Sequence, residues 1–181
     1  ATVHIDGDGF PSKAEIPGTP YAGQSVLDLF LKPYPLLSSV SVIEGEVGPK
    51  GKYPEISPAL EKIAQNIFAL KNVEVASHTF SHPFFWRPAL AEKEEDFDPE
   101  YGYHMDIPGY DVVDYDREVT GSIDYINQRL TTPEKPVKAI FWTGDALPSP
   151  ETLKLSYDKG VVNINGALTV IKPSNPSVTG V

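Results

Sequence analysis

The feature that most constrains this chain is an alternation: short β-branched segments that end in turn residues, separated by stretches with helical spacing. Strand composition reads at residues 2–5, 39–44, 73–77, 137–143 and 161–164, each bounded by Gly, Pro, Asn or Asp. Between the second and third of these, Ile56, Leu60, Ile63 and Ile67 recur at i, i+4, i+7 and i+11. Ser57 and Pro58 suit the start of that helix, and Lys71 with Asn72 suit its end. Further helices are expected over 24–32, 114–130 and 150–159. The resulting order, βαβαβαβαβ, predicts an α/β fold with a parallel sheet, because parallel neighbours need a crossover and a helix supplies it. A length of 181 residues, 40% of them hydrophobic, suits a single domain over 1–181 with one substantial core.

Charge and cysteine usage remove several classes of function. Fifteen Lys and Arg against 25 Asp and Glu leave a net charge of −10 with no basic cluster, which argues against nucleic acid and anionic membrane surfaces as partners. Apolar runs of about four residues are far too short to cross a bilayer, so no membrane insertion is expected, and no signal-peptide pattern is present. With no cysteine there is no disulfide, thiolate site or cysteine nucleophile, and any metal must sit on His, Asp or Glu. The 18 prolines are spread along the chain and mark many ordered loops. One long irregular segment, residues 83–110, follows the third strand and carries Phe84, Phe85, Trp86, Tyr101 and Tyr103 in a mostly acidic background. It is expected to cover the mouth of the site and set substrate choice.

Two short motifs carry the chemistry. Asp6-Gly7-Asp8-Gly9 ends the first strand, and carboxylates there rule out the phosphate cradle of a dinucleotide-binding turn. Read as a calcium loop from Asp6, the same stretch has Phe10, Pro11 and Pro17 where an oxygen ligand, Gly and Glu are needed. The second motif is His78-Thr79-Phe80-Ser81-His82-Pro83, directly after the third strand. Thr79 stands where a zinc protease would carry its Glu. In a parallel sheet both motifs fall at one rim, where α/β barrels place their ligands. One carboxylate with two imidazoles suits Zn²⁺, Fe²⁺, Co²⁺ or Ni²⁺, and a second carboxylate nearby could take a proton from water. His4, inside the first strand, reads as a core histidine, and the role of His104 is open. Glu44 and Glu46 could instead form a glycoside hydrolase pair with Asp6.

The histidine motif resembles the His-Ser/Thr-x-Ser/Thr-His-Pro signature of the NodB-type polysaccharide deacetylases, carbohydrate esterase family four. Residues 4–9, His-Ile-Asp-Gly-Asp-Gly, are similar to the pattern of the deacetylase domains of Pel exopolysaccharide proteins, in which one residue separates the carboxylates. Residues 41–46, 74–78, 142–145 and 163–166 also look like that group. The resemblance implies a distorted (β/α) barrel, metal ligands Asp8, His78 and His82, and Asp6 as general base. It implies one divalent transition metal, zinc first, and de-N-acetylation of a galactosamine-containing polysaccharide in the periplasm or outside the cell. Phe84, Trp86, Trp142 and Asp145 are the substrate-binding candidates, and Arg87 and Arg117 are candidates to orient the base. The family's late Leu-x-His motif has no counterpart, and only five strands can be counted before residues 174–177. The expectation is therefore a domain excised from a larger protein, incomplete at its C-terminus, that binds metal but hydrolyses weakly. A carbohydrate-binding or scaffolding domain with little turnover is the alternative.

Overall fold

The computed structural model describes residues 3–88 and 102–165. Strands β1 (Val3–Ile5), β2 (Ser38–Val42), β3 (Val73–Ser77), β4 (Ala139–Phe141) and β5 (Val162–Ile164) form one sheet. They lie in chain order, and every neighbouring pair is parallel. Because the order never reverses, there is no switch point of the doubly wound kind; this is the winding of a barrel wall. The wall is curved. Strands three apart in a flat sheet would be separated by about 14 Å, yet the rings of His4 on β1 and Phe141 on β4 meet with centroids 5.6 Å apart. The fold is α/β, with the sheet curled into a half-barrel.

The helices cover the convex side. They are α1 (Ala22–Val26), which runs into a π-helical turn at Leu27–Leu31, the short α2 (Glu44–Val47), and α3 (Ser57–Phe68). A second π-helical turn, Arg117–Gly121, leads into α4 (Ser122–Arg129), and α5 (Pro150–Asp158) completes the set among the described residues. In α3 the expected face is the buried one: Leu60, Ile63, Ala64 and Ile67 pack with Val40, Val42, Val73 and Val75 of the sheet in the main core. Burying each large side chain of this kind contributes roughly 1.5–3 kcal/mol. Ser149 caps α5 by accepting the N–H of Thr152 at 3.2 Å, with Pro150 preset for the first turn. On the concave side Ala76, Ala139 and Phe141 make a small second cluster with Ile164.

Three expectations change in detail. The second strand stops at Val42, because the N–H groups of Glu44 and Gly45 turn away to the carbonyls of Thr79 and Phe80 and start α2. Pairing of the fourth covers only Ala139–Phe141. His4 is exposed on the open concave face and is not a core residue. Residues 174–177 and part of 83–110 lie outside the described residues. No helix among the described residues is long and apolar enough to cross a membrane.

Candidate metal centre

Strand register brings the two motifs together. Ile5 is level with Val40, and Val40 with Val75. Three residues further along, Asp8 and His78 therefore reach the same height on the rim, two strands apart. The gap is crossed at Gly7. A Cβ there would lie 2.8 Å from the Ile43 nitrogen and the Val42 Cα, so only glycine lets the chain pass this close over the end of β2. Gly9, at φ +71°, then completes the turn.

Asp8, His78 and His82 form the one group of potential ligands found among the described residues, each offering an atom within 4.8 Å of the others. Asp8 Oδ1 is 3.0 Å from His82 Nε2, and Asp8 Oδ2 is 3.4 Å from His78 Nε2. Donors on a tetrahedral zinc, each about 2.0–2.1 Å from the ion, stand about 3.3 Å from one another, so each imidazole nitrogen already stands from one Asp8 oxygen at about the donor spacing of a coordination sphere. The tautomer of His78 points the same way. Its Nδ1 lies 2.9 Å from the carbonyl oxygen of Phe141, which can only accept, so the proton sits on Nδ1. In the neutral ring the Nε2 lone pair then faces a carboxylate oxygen, and two acceptors face each other unless a proton or a cation lies between them. A carbonyl fixing one ring nitrogen while the other is presented to a cation is the usual outer support of a metal-binding histidine. Where a proton rather than a cation lies between ring and carboxylate, the imidazoles donate to Asp8 and hold its carboxyl well below the usual carboxylate range, His78 contributing most and His82 next. The ionised form of Asp8 is the one a cation requires.

Asp6, two residues before Asp8, stands outside this group of three and is exposed. The other candidates are spread around the rim. Glu44 is buried in a two-pronged pair with Arg117, at 2.8 and 2.5 Å, yet burial still pushes its carboxyl up. Arg87 donates its Nε–H to the Leu147 carbonyl at 2.8 Å. Both arginines are thus engaged away from Asp6. Glu46 accepts the N–H of Phe10 at 3.1 Å, and burial, with Asp8 adding to it, pushes its carboxyl up to about 7.

The aromatic candidates divide. Phe84 is half-buried, with its ring 5.2 Å from that of His82. Trp86 and Trp142 are core residues, 1% and 3% exposed and packed edge to face at 4.7 Å. Their indole N–H groups are spent on the Thr143 carbonyl and the Asn163 side chain, so neither presents a face to a sugar. Asp145 accepts the N–H groups of Trp86 and Leu147 and closes a turn. His104 lies opposite His82: the N–H of Phe84 donates to the Tyr103 carbonyl and that of Met105 to Ser81. Its Nδ1 is 2.8 Å from the Met105 carbonyl and its ring lies against Tyr110.

Sequence reasoning missed the buried carboxylate behind the histidine loop, Glu118, because nothing in its local sequence ties it to a motif 37 and more residues away. Glu46 stands out in the sequence only as a glycoside hydrolase candidate, and its place behind the aspartate loop depends on a partner 36 residues away. No family model, no curated protein and no solved structure matches the chain, and its chemistry has to be read from these side chains.

Proposed function

We propose that this chain is a metal-dependent polysaccharide de-N-acetylase domain of the NodB type, with Zn²⁺ as the first candidate for its ion. The observation that carries this reading is the meeting of Asp8, His78 and His82 at one rim of a barrel-like wall, with the exposed Asp6 two residues before Asp8 and outside their cluster. A divalent cation on these ligands supplies Lewis acidity to an amide carbonyl and to water. Asp6, exposed and not a member of the ligand group, takes the proton of the attacking water. The half-buried Phe84, against His82, offers an apolar surface for a sugar ring next to the acetamide. A galactosamine-containing, Pel-like polymer outside the cytoplasm is the proposed substrate, and the products are acetate and a free amine.

The test is to incubate zinc-loaded protein with an acetylated hexosamine oligomer and measure acetate and new reducing ends in the same sample. Acetate without reducing ends is expected. Asp6→Asn should lower acetate release by about 10²–10⁴-fold while keeping its metal, since an amide can hold water but cannot take its proton. Reducing ends in place of acetate would indicate a glycoside hydrolase. Oligomer binding without either product would leave a carbohydrate-binding domain.

A further inference from the structure

The loop that carries both histidines is held in a conformation its own sequence does not favour. Thr79 and His82 have φ of +65° and +54°, a region costly for side chains with a Cβ, and for a β-branched residue above all. Strain of this kind, of order 1–3 kcal/mol per residue, persists only where the surroundings over-determine it. Much of that determination comes from one buried side chain. Glu118, fully buried, accepts the N–H of Phe80 at 2.9 Å and the N–H of Ser81 at 2.8 Å on one carboxylate oxygen, and the Ser81 hydroxyl on the other. All three donors lie between the two histidines.

The rest of the loop is fastened to the same neighbourhood. The Thr79 carbonyl accepts from the Glu44 N–H and the Ser122 hydroxyl, and the Phe80 carbonyl accepts from the Gly45 N–H. Arg117 stacks its guanidinium on the Phe80 ring at 3.8 Å. Glu118 and Arg117 both sit in the π-helical turn Arg117–Gly121, whose extra residue per turn re-aims side chains relative to a regular helix, as such turns often do near functional sites.

We propose that Glu118 is a positioning residue of the metal centre: its carboxylate fixes the backbone of residues 80–81 so that the His78 and His82 imidazoles converge on Asp8. The proposal rests on the reading of Asp8, His78 and His82 as metal ligands and is independent of the reaction assigned to them. Glu118→Ala leaves two buried N–H groups without an acceptor and frees the strained loop. Glu118→Gln keeps an oxygen for the N–H groups and an amide that can donate to Ser81.

Co²⁺ titration of the full chain, followed through the visible ligand-field bands, tests this. One equivalent should bind the unaltered protein. Affinity should fall about 10–100-fold in Glu118→Ala, the range for outer-shell supports, and less in Glu118→Gln, with altered bands at saturation in both. Glu61→Gln is the control, because Glu61 is bound by Arg129 and Tyr125 on the outer helices and should leave affinity unchanged whatever it does to stability. Affinity and bands within twofold of the unaltered protein in Glu118→Ala would overturn the proposal. If that variant does not fold, the same result in Glu118→Gln and Ser81→Ala would overturn it. A failure of the unaltered protein to bind Co²⁺ would overturn the metal centre itself.

Discussion

The two loops that meet at the candidate centre are built differently. The histidine loop belongs to the core: His78 is 2% exposed, residues 77–81 are all buried, and backbone and side-chain polar groups reach other elements. The aspartate loop belongs to the surface. Its Asp8 side chain is half-exposed, and its anchors are the Phe10 N–H on Glu46, the α1 N–H groups of Gly23 and Ala22 on the Phe10 and Ser12 carbonyls, the Phe10 ring packed against Gly23, and the close passage of Gly7 over β2. The imidazoles are set in place by folding, whereas the carboxylate arrives on a lightly fastened strap. Metal binding should therefore lean on both loops, but stability on only one.

The sharpest way to break that contrast is to remove one ligand from each side. His78→Ala should lower Zn²⁺ affinity by about 10³-fold and cost about 2–4 kcal/mol of metal-free stability, since it empties a packed site and leaves the Phe141 carbonyl without its donor. Asp8→Asn should weaken Zn²⁺ by about 10²-fold yet change metal-free stability by less than about 1 kcal/mol, the usual scale for a half-exposed charge pair. Competition titration and urea unfolding measure the two quantities. Equal losses of stability would mean that the strap is as deeply built in as the loop behind it.

A smaller effect tests the aspartate strap and its anchor by pH. Asp8 has a lowered pKa, so it contributes stability above the ordinary carboxylate range that is lost as pH falls through its folded value. Glu46, raised to about 7, has the opposite sign. From about pH 4.5 to pH 7 the folded protein keeps a proton that the unfolded chain releases, so stability falls as pH rises, by up to about 3 kcal/mol. Glu46→Gln should flatten this limb in chelator-stripped protein and leave the acid limb intact. An unchanged slope between pH 4.5 and 7 would show that Glu46 ionises as freely as a surface carboxylate.

The sequence carried the parts of this arrangement that are local. Turn residues after β1 and β3 mark a common rim, and the periodic Ile and Leu of α3 mark its buried face. What it could not carry depends on register and on distant partners. That Asp8 is level with His78 follows from pairing through Val40, which no local pattern encodes. Glu118 lies 37 residues from Ser81, inside a π-helical turn that looks like ordinary helix. Trp86 and Trp142 resemble sugar platforms in sequence, but each finds an acceptor within the fold for its indole N–H and joins the core. His4 fails in the other direction, because the strand face it occupies is left open by the half-barrel.

The most direct test of the central claim is the metal content of purified protein after equilibration with Zn²⁺ and gel filtration, measured by elemental analysis for the unaltered chain and for His78→Ala and His82→Ala. One equivalent in the unaltered protein, falling to near zero in both variants with their circular dichroism retained, is the result this account expects. One equivalent in all three, or none in the unaltered protein, would contradict it.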